Sequence, residues 1–136
     1  MVDVCNELGV DGWWCIPHTA AENYVTAMAA LIKNRLNPAL KAYVEYTNEW
    51  WNFAAGYPGA PYFAALSSGQ PYNFNEVAGA YSARAMTWWS AVWAGQMSRT
   101  VRVAGIQVNY MGLETNYLLA PNYRAVHGGP IPADVH

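Results

Sequence analysis

Apolar and polar residues alternate from Ala42 to Thr47, within the stretch KAYVEYTNEWWN at residues 41–52, and the run is rich in aromatic and β-branched side chains. A period of two with that composition predicts a strand. Two other stretches read the same way. One is the short apolar run Trp13–Ile16, opened by the turn signal Asp11-Gly12 and closed by Pro17-His18; the other is Thr100–Gln107, TVRVAGIQ. Between the strands the period changes to that of a helix. Behind Thr19-Ala20-Ala21-Glu22, which has the spacing of a capping box, Tyr24, Met28, Leu31, Ile32 and Arg35-Leu36 recur on one face until Asn37-Pro38 stops the run. A second capping-box spacing, Asn73 to Glu76, predicts a helix to about residue 96, with Val77, Tyr81, Arg84, Trp88 and Val92 on one stripe. At the start, Val2, Cys5 and Leu8 stand three apart ahead of Gly9, the signature of a helix end. Tyr117–Ala120 reads as a fourth short strand.

Strand, helix, strand within so short a span is a βαβ unit, which makes its two strands parallel. The reading is therefore α/β, a single domain over residues 1–136. An aromatic Gly/Pro-rich loop is expected at about 53–73, and an irregular tail from about 124, where HGGPIPADVH has no period. The loop carries Phe53, Tyr57, Tyr62, Phe63 and Tyr72, too many rings for a plain linker.

Composition narrows the function classes. A chain of 136 residues can bury one core. Its 12% charged content is about half the usual share. The net charge of −2 leaves no basic footprint for nucleic acid. No run approaches the roughly 18 apolar residues of a membrane span, and MVDVCNELGV does not read as a signal peptide. Cys5 and Cys15 lack metal-ligand spacing and read as buried thiols, with a bridge between them the less favoured reading, and nothing calls for a cofactor or a metal. Seven Trp include the neighbours Trp13-Trp14, Trp50-Trp51 and Trp88-Trp89. Two adjacent indoles face different ways on any regular element, so one of each pair is expected near a surface or cleft. For Trp88-Trp89 the simplest role is packing of the helix.

The candidate chemistry sits where the strand at 42–47 ends, in Asn48-Glu49 followed by Trp50, Trp51 and Asn52. A carboxylate beside an amide, among indoles, suits a sugar-cleaving site. A proton donor there needs a partly apolar wall that raises its pKa, the amide can hydrogen-bond a sugar hydroxyl, and an indole can stack on a sugar ring. Plain readings stand beside these: Glu49 as a solvated residue after a strand, Trp51 as core packing, His18 as a histidine satisfied by the backbone, and Glu45 as a paired polar residue.

The phrase VEYTNEWWN resembles the large clan of retaining glycoside hydrolases that includes the cellulases and mannanases, and bacterial cellulase-like members in particular. There the acid/base glutamate follows an asparagine at the end of the fourth strand of a (β/α)8 TIM barrel, as Asn48-Glu49 stands here. The resemblance implies a partial TIM barrel, roughly strands three to six with their helices. Those strands would be 13–17, 41–47, 101–107 and 117–120, with sites at the C-terminal ends. It implies Glu49 as general acid/base, with His18, Asn48, Trp51, Gln107 and Tyr123 binding a β-linked polysaccharide or oligosaccharide. The clan's nucleophile is a second glutamate on a seventh strand, and on that template these 136 residues are expected to stop before it. The chain then resembles a hydrolase fragment without a nucleophile; a non-catalytic carbohydrate-binding or scaffold protein is the alternative. Glu45, four residues before Glu49 on an extended strand, is expected about 13 Å from it and so not to replace the nucleophile. Open sheet edges near 13–17 and 117–120 are expected to invite self-association.

Overall fold

The computed structural model describes residues 1–135. Three strands, β1 (Gly12–Ile16), β2 (Ala42–Tyr46) and β3 (Thr100–Val103), form one parallel sheet in the order β1-β2-β3. The register aligns Trp14 with Val44 and Arg102, and Cys15 with Glu45 and Val103. Helices α1 (Val2–Leu8), α2 (Glu22–Arg35), α3 (Gly59–Ser67), α4 (Phe74–Trp93), α5 (Leu113–Leu119), α6 (Pro121–His127) and α7 (Pro132–Val135) complete the described chain, with a 3₁₀ turn at Met97–Arg99.

The two faces of the sheet differ. Gly12, Trp14, Ile16, Ala42, Val44, Tyr46 and Thr100 are buried on one face, in the core built with α2 and α4. Trp89 Nε1 donates to Thr100 Oγ1 at 2.9 Å, and that hydroxyl donates to the Ala42 carbonyl at 3.0 Å, which ties α4 to both strands. The opposite face carries Trp13, Cys15, Tyr43, Glu45, Val101 and Val103; Trp13 is 50% exposed and Cys15 is exposed as well. Parallel sheets are usually covered on both faces. Here helices cover one.

This architecture corrects the expected partial barrel. The sheet is open and three-stranded, with β1 and β3 as its edges, and it does not supply strands three to six. The physical reason lies at 117–120. Leu113 and Tyr117, both buried, are four residues apart and form the inner face of helix α5, so the short apolar run has a helical period rather than a strand's. Ala120, at φ 38°, ends the helix in a left-handed residue, and Pro121 starts α6. The second edge is therefore β3 and not the segment at 117–120.

Other expectations shift in register. The helix after β1 begins at Glu22, with Ala21 at its N-cap and no side-chain cap, so Thr19 does not close a capping box. Its buried face is Val25, Ala29, Ile32 and then Leu36, while Tyr24 and Leu31 are each half exposed. Of the second box, Asn73 does its part, accepting from the amides of Asn75 and Glu76 at 3.0 and 3.1 Å. Glu76 does not reach back. It is fully buried, and its carboxylate accepts from Asn122 Nδ2 at 2.9 Å and from the Tyr123 amide at 2.8 Å. Those groups belong to the first turn of α6, whose N-cap Ala120 offers no side-chain acceptor, so a residue of α4 caps α6. The stretch read as loop at 53–73 contains α3, and the tail from 124 contains the end of α6 and all of α7.

Candidate active site

The chain leaves β2 at Tyr46 and turns at once. Thr47 and Glu49 have φ of 57° and 48°, left-handed values that side chains disfavour, most of all a β-branched one. Asn48 between them is exposed. The turn is pinned from three sides. The Thr47 amide donates to the Ile16 carbonyl at 2.8 Å, the Asn52 amide donates to the Glu49 carbonyl at 2.9 Å, and Asn52 Nδ2 donates to Glu49 Oε2 at 2.7 Å. Helix α3 closes on it through Gly59, where a Cβ would stand 2.7 Å from Thr47 Cγ2. The Thr47 hydroxyl is buried and has no hydrogen-bond partner among the described residues. A strained backbone and an orphaned hydroxyl thus flank one exposed amide.

Beside this turn lies an open cleft of about 370 Å³, walled by Cys15, Ile16, Pro17 and His18 from the end of β1, by Thr47 and Asn48, and by Gly56, Tyr57 and Pro58. His18 is half-buried against the edge of the Tyr62 ring, at 5.0 Å, and burial lowers its pKa. Its carbonyl accepts from the Tyr46 hydroxyl at 2.6 Å, which fixes the end of β1 to the end of β2.

Glu45 lies two residues before the turn on the uncovered face, only 8% exposed. Trp13 Nε1 donates to its Oε2 at 3.1 Å, and Cys15 Sγ stands 3.9 Å from the same oxygen. Burial pushes the Glu45 carboxyl above its usual range; the Trp13 and Cys15 bonds pull it back, and the Glu49 charge adds to the rise. β2 stops at Tyr46 and the chain turns at once, so Glu49 does not continue the extended strand, and its charge reaches Glu45.

Of the expected site residues, His18 and Asn48 share the cleft, and Glu49, half-buried, follows Asn48 on the turn. Trp51 packs edge-on against the fully buried Trp50 at 5.4 Å and is not in the cleft wall. Trp50 donates to the Gly105 carbonyl at 2.7 Å and stacks on Tyr117 at 4.7 Å. Gln107 lies four residues beyond the end of β3, exposed. Tyr123 sits on α6 against Tyr72 and His127 and lines a different, smaller cavity. Sequence reasoning expected one of Trp13-Trp14 near a surface but missed the bond of Trp13 to Glu45, whose signal was its place two residues before Cys15, the register partner of Glu45, on the same face. It also missed Thr47, which no sequence signal marks. Among the described residues no group of three or more His, Cys, Asp or Glu is placed to hold a metal ion, and no helix is long and apolar enough to cross a membrane.

Comparison of the chain with known protein families, with curated proteins and with solved structures finds no match.

Proposed function

We propose that the turn at Asn48-Glu49 is the acid-bearing part of a glycoside-cleaving site for a β-linked polysaccharide or oligosaccharide, with Glu49 as general acid/base. The observation that carries this reading is the pair of left-handed residues, Thr47 and Glu49, bracketing Asn48 beside an open cleft. Non-glycine residues held this way cost on the order of 1–3 kcal/mol each and cluster where function demands them. Asn52 fixes one Glu49 oxygen, leaving the other to face a glycosidic oxygen, while Asn48 offers an amide to a sugar hydroxyl. Glycoside cleavage also needs a second carboxylate, or a water held by one; we assign none.

The second reading, a non-catalytic carbohydrate binder, is favoured by one observation: the other carboxylate at this end of the sheet, Glu45, is engaged by Trp13 and buried. One experiment separates the two. Cleavage of β-linked gluco- and manno-oligosaccharides is measured with formate added as an external nucleophile, for the native chain and Glu49→Gln. If Glu49 is the proton donor, the variant loses about 10²- to 10⁴-fold on these sugars. It loses far less on aryl glycosides, whose leaving groups need little protonation. Equal losses on both substrate types, or no loss, overturn the assignment of Glu49. Saturable oligosaccharide binding without cleavage under any condition establishes the second reading.

A further inference from the structure

Between α4 and α6 a small open hollow of about 140 Å³ is lined by Ala80, Tyr81 and Arg84 of α4, Tyr123 and His127 of α6, and Gly128, Gly129 and Pro130. Among the described residues no carboxylate lines it. Arg84 is the one permanent charge that the described residues bring to the wall, and its guanidinium carbon lies 4.0 Å over the Tyr81 ring and 5.4 Å from the Trp88 ring. Cation–π contacts of this kind hold the planar group in place without using its N–H donors. The ion pairs among the described residues, Arg35 with Asp3 and Arg124 with Asp134, involve neither Arg84 nor a residue of the cavity wall. Glu76, two turns earlier on the same helix, spends its oxygens on Asn122 and Tyr123. The guanidinium is therefore oriented, flanked by rings, and without an acidic partner among the described residues.

The rest of the wall suits an anion. His127 Nε2 lies 3.0 Å from the Tyr72 hydroxyl, which fixes the imidazole through one nitrogen. The Tyr123 phenol is raised by burial and by Tyr81, with the Arg84 charge pulling the other way, so the field of Arg84 reaches into the cavity. Gly128 and Gly129, at φ 65° and 83°, leave that side of the cavity free of side chains, and a Cβ at either would meet nothing within 4 Å.

We propose that this cavity binds a small oxyanion, of the size of a phosphate or sulfate group, with Arg84 as its principal ligand and His127 and the Tyr123 hydroxyl beside it. A forked guanidinium matches the oxygens of such a group two at a time. The plain alternative is that Arg84 only staples Tyr81 and Trp88 and spends its donors on water.

The test is a titration of the full chain with inorganic phosphate and, separately, with sulfate, against sodium chloride at matched ionic strength, followed by amide and arginine Nε shifts in NMR spectra. Binding predicts saturable shifts at Arg84, His127, Gly128 and Gly129 that are absent with chloride. Arg84→Met keeps the aliphatic stem over the rings and should weaken the phosphate response at least tenfold, with the remaining spectrum unchanged. Linear, non-saturating shifts in the native chain, or saturation that persists in Arg84→Met, overturn the proposal.

Discussion

The Trp13 indole donates to the Glu45 carboxylate at 3.1 Å across neighbouring strands, in the middle of the sheet face that no helix covers. Burial raises the Glu45 pKa above that of a free glutamate, so the folded chain holds this proton more tightly than the unfolded one. The stability this supplies is complete below the ordinary glutamate range, near about 4.3. It is lost as pH rises through the raised folded value. Glu45→Gln keeps an acceptor for Trp13 and removes the titration. Its stability relative to the native chain should therefore improve from pH 4 to pH 7 in parallel urea melts, and a difference that is flat with pH would contradict this.

Glu49→Gly tests the strain at the turn. Left-handed geometry costs a non-glycine residue about 1–2 kcal/mol, while glycine's added chain freedom costs roughly 0.5–1 kcal/mol. The balance favours a variant that is equal to the native chain or up to about 1 kcal/mol more stable, although it has lost a side chain bonded to Asn52. A loss above 1 kcal/mol in chemical denaturation would show that the Asn52 bond outweighs the strain.

The sequence carried the sheet and lost the third dimension. Period-two runs with turn signals placed β1, β2 and β3 and their parallel sense, and Gly9 and Asn37-Pro38 marked two helix ends where they fall. The segment at 117–120 failed because four apolar-leaning residues are too few to separate a period of two from one of 3.6. The barrel, carried by resemblance, fell with it. Asn48 and His18 were legible as neighbours of a cleft because parallel strands bring their C-terminal ends together. Gln107 and Tyr123 were not, because β3 ends at Val103 and Tyr123 lies on a helix docked to α4. No pattern in the chain announces that Glu76 would serve a helix other than its own.

Gly79 makes a close approach possible between helices. A Cβ there would collide with the Tyr117 carbonyl oxygen of α5. In an isolated helix Gly→Ala gains about 0.8–1 kcal/mol; here the clash should reverse the sign. Gly79→Ala is expected to destabilise by about 1–3 kcal/mol, read as a lower Tm. A stabilised variant would show that α5 does not sit against α4 at this point.

The two cysteines, both read from sequence as buried, divide: Cys5 is buried and Cys15 exposed. Burial by its neighbours, followed by the charge of Glu45, raises the Cys15 thiol pKa, which keeps an accessible thiol sluggish. One equivalent of a thiol reagent should react with the native chain, at Cys15. Glu45→Gln should speed that reaction at fixed pH, by removing the carboxylate charge. An unchanged rate would place Glu45 outside the thiol's electrostatic reach.

The capping of α6 by Glu76 has a consequence for how the molecule opens. Residues 113–135 meet α4 through three successive short helices and hold no strand of the sheet. They are held at the Gly79–Tyr117 contact and by the buried carboxylate, with the Trp50 ring stacked on Tyr117 and Tyr72 against Tyr123 and His127. Helices this short do not persist alone, so α5, α6 and α7 share one fate. They are expected to open as one unit, leaving α4 and the Trp50 ring together, and amide exchange along them should follow a common opening free energy below that of the sheet.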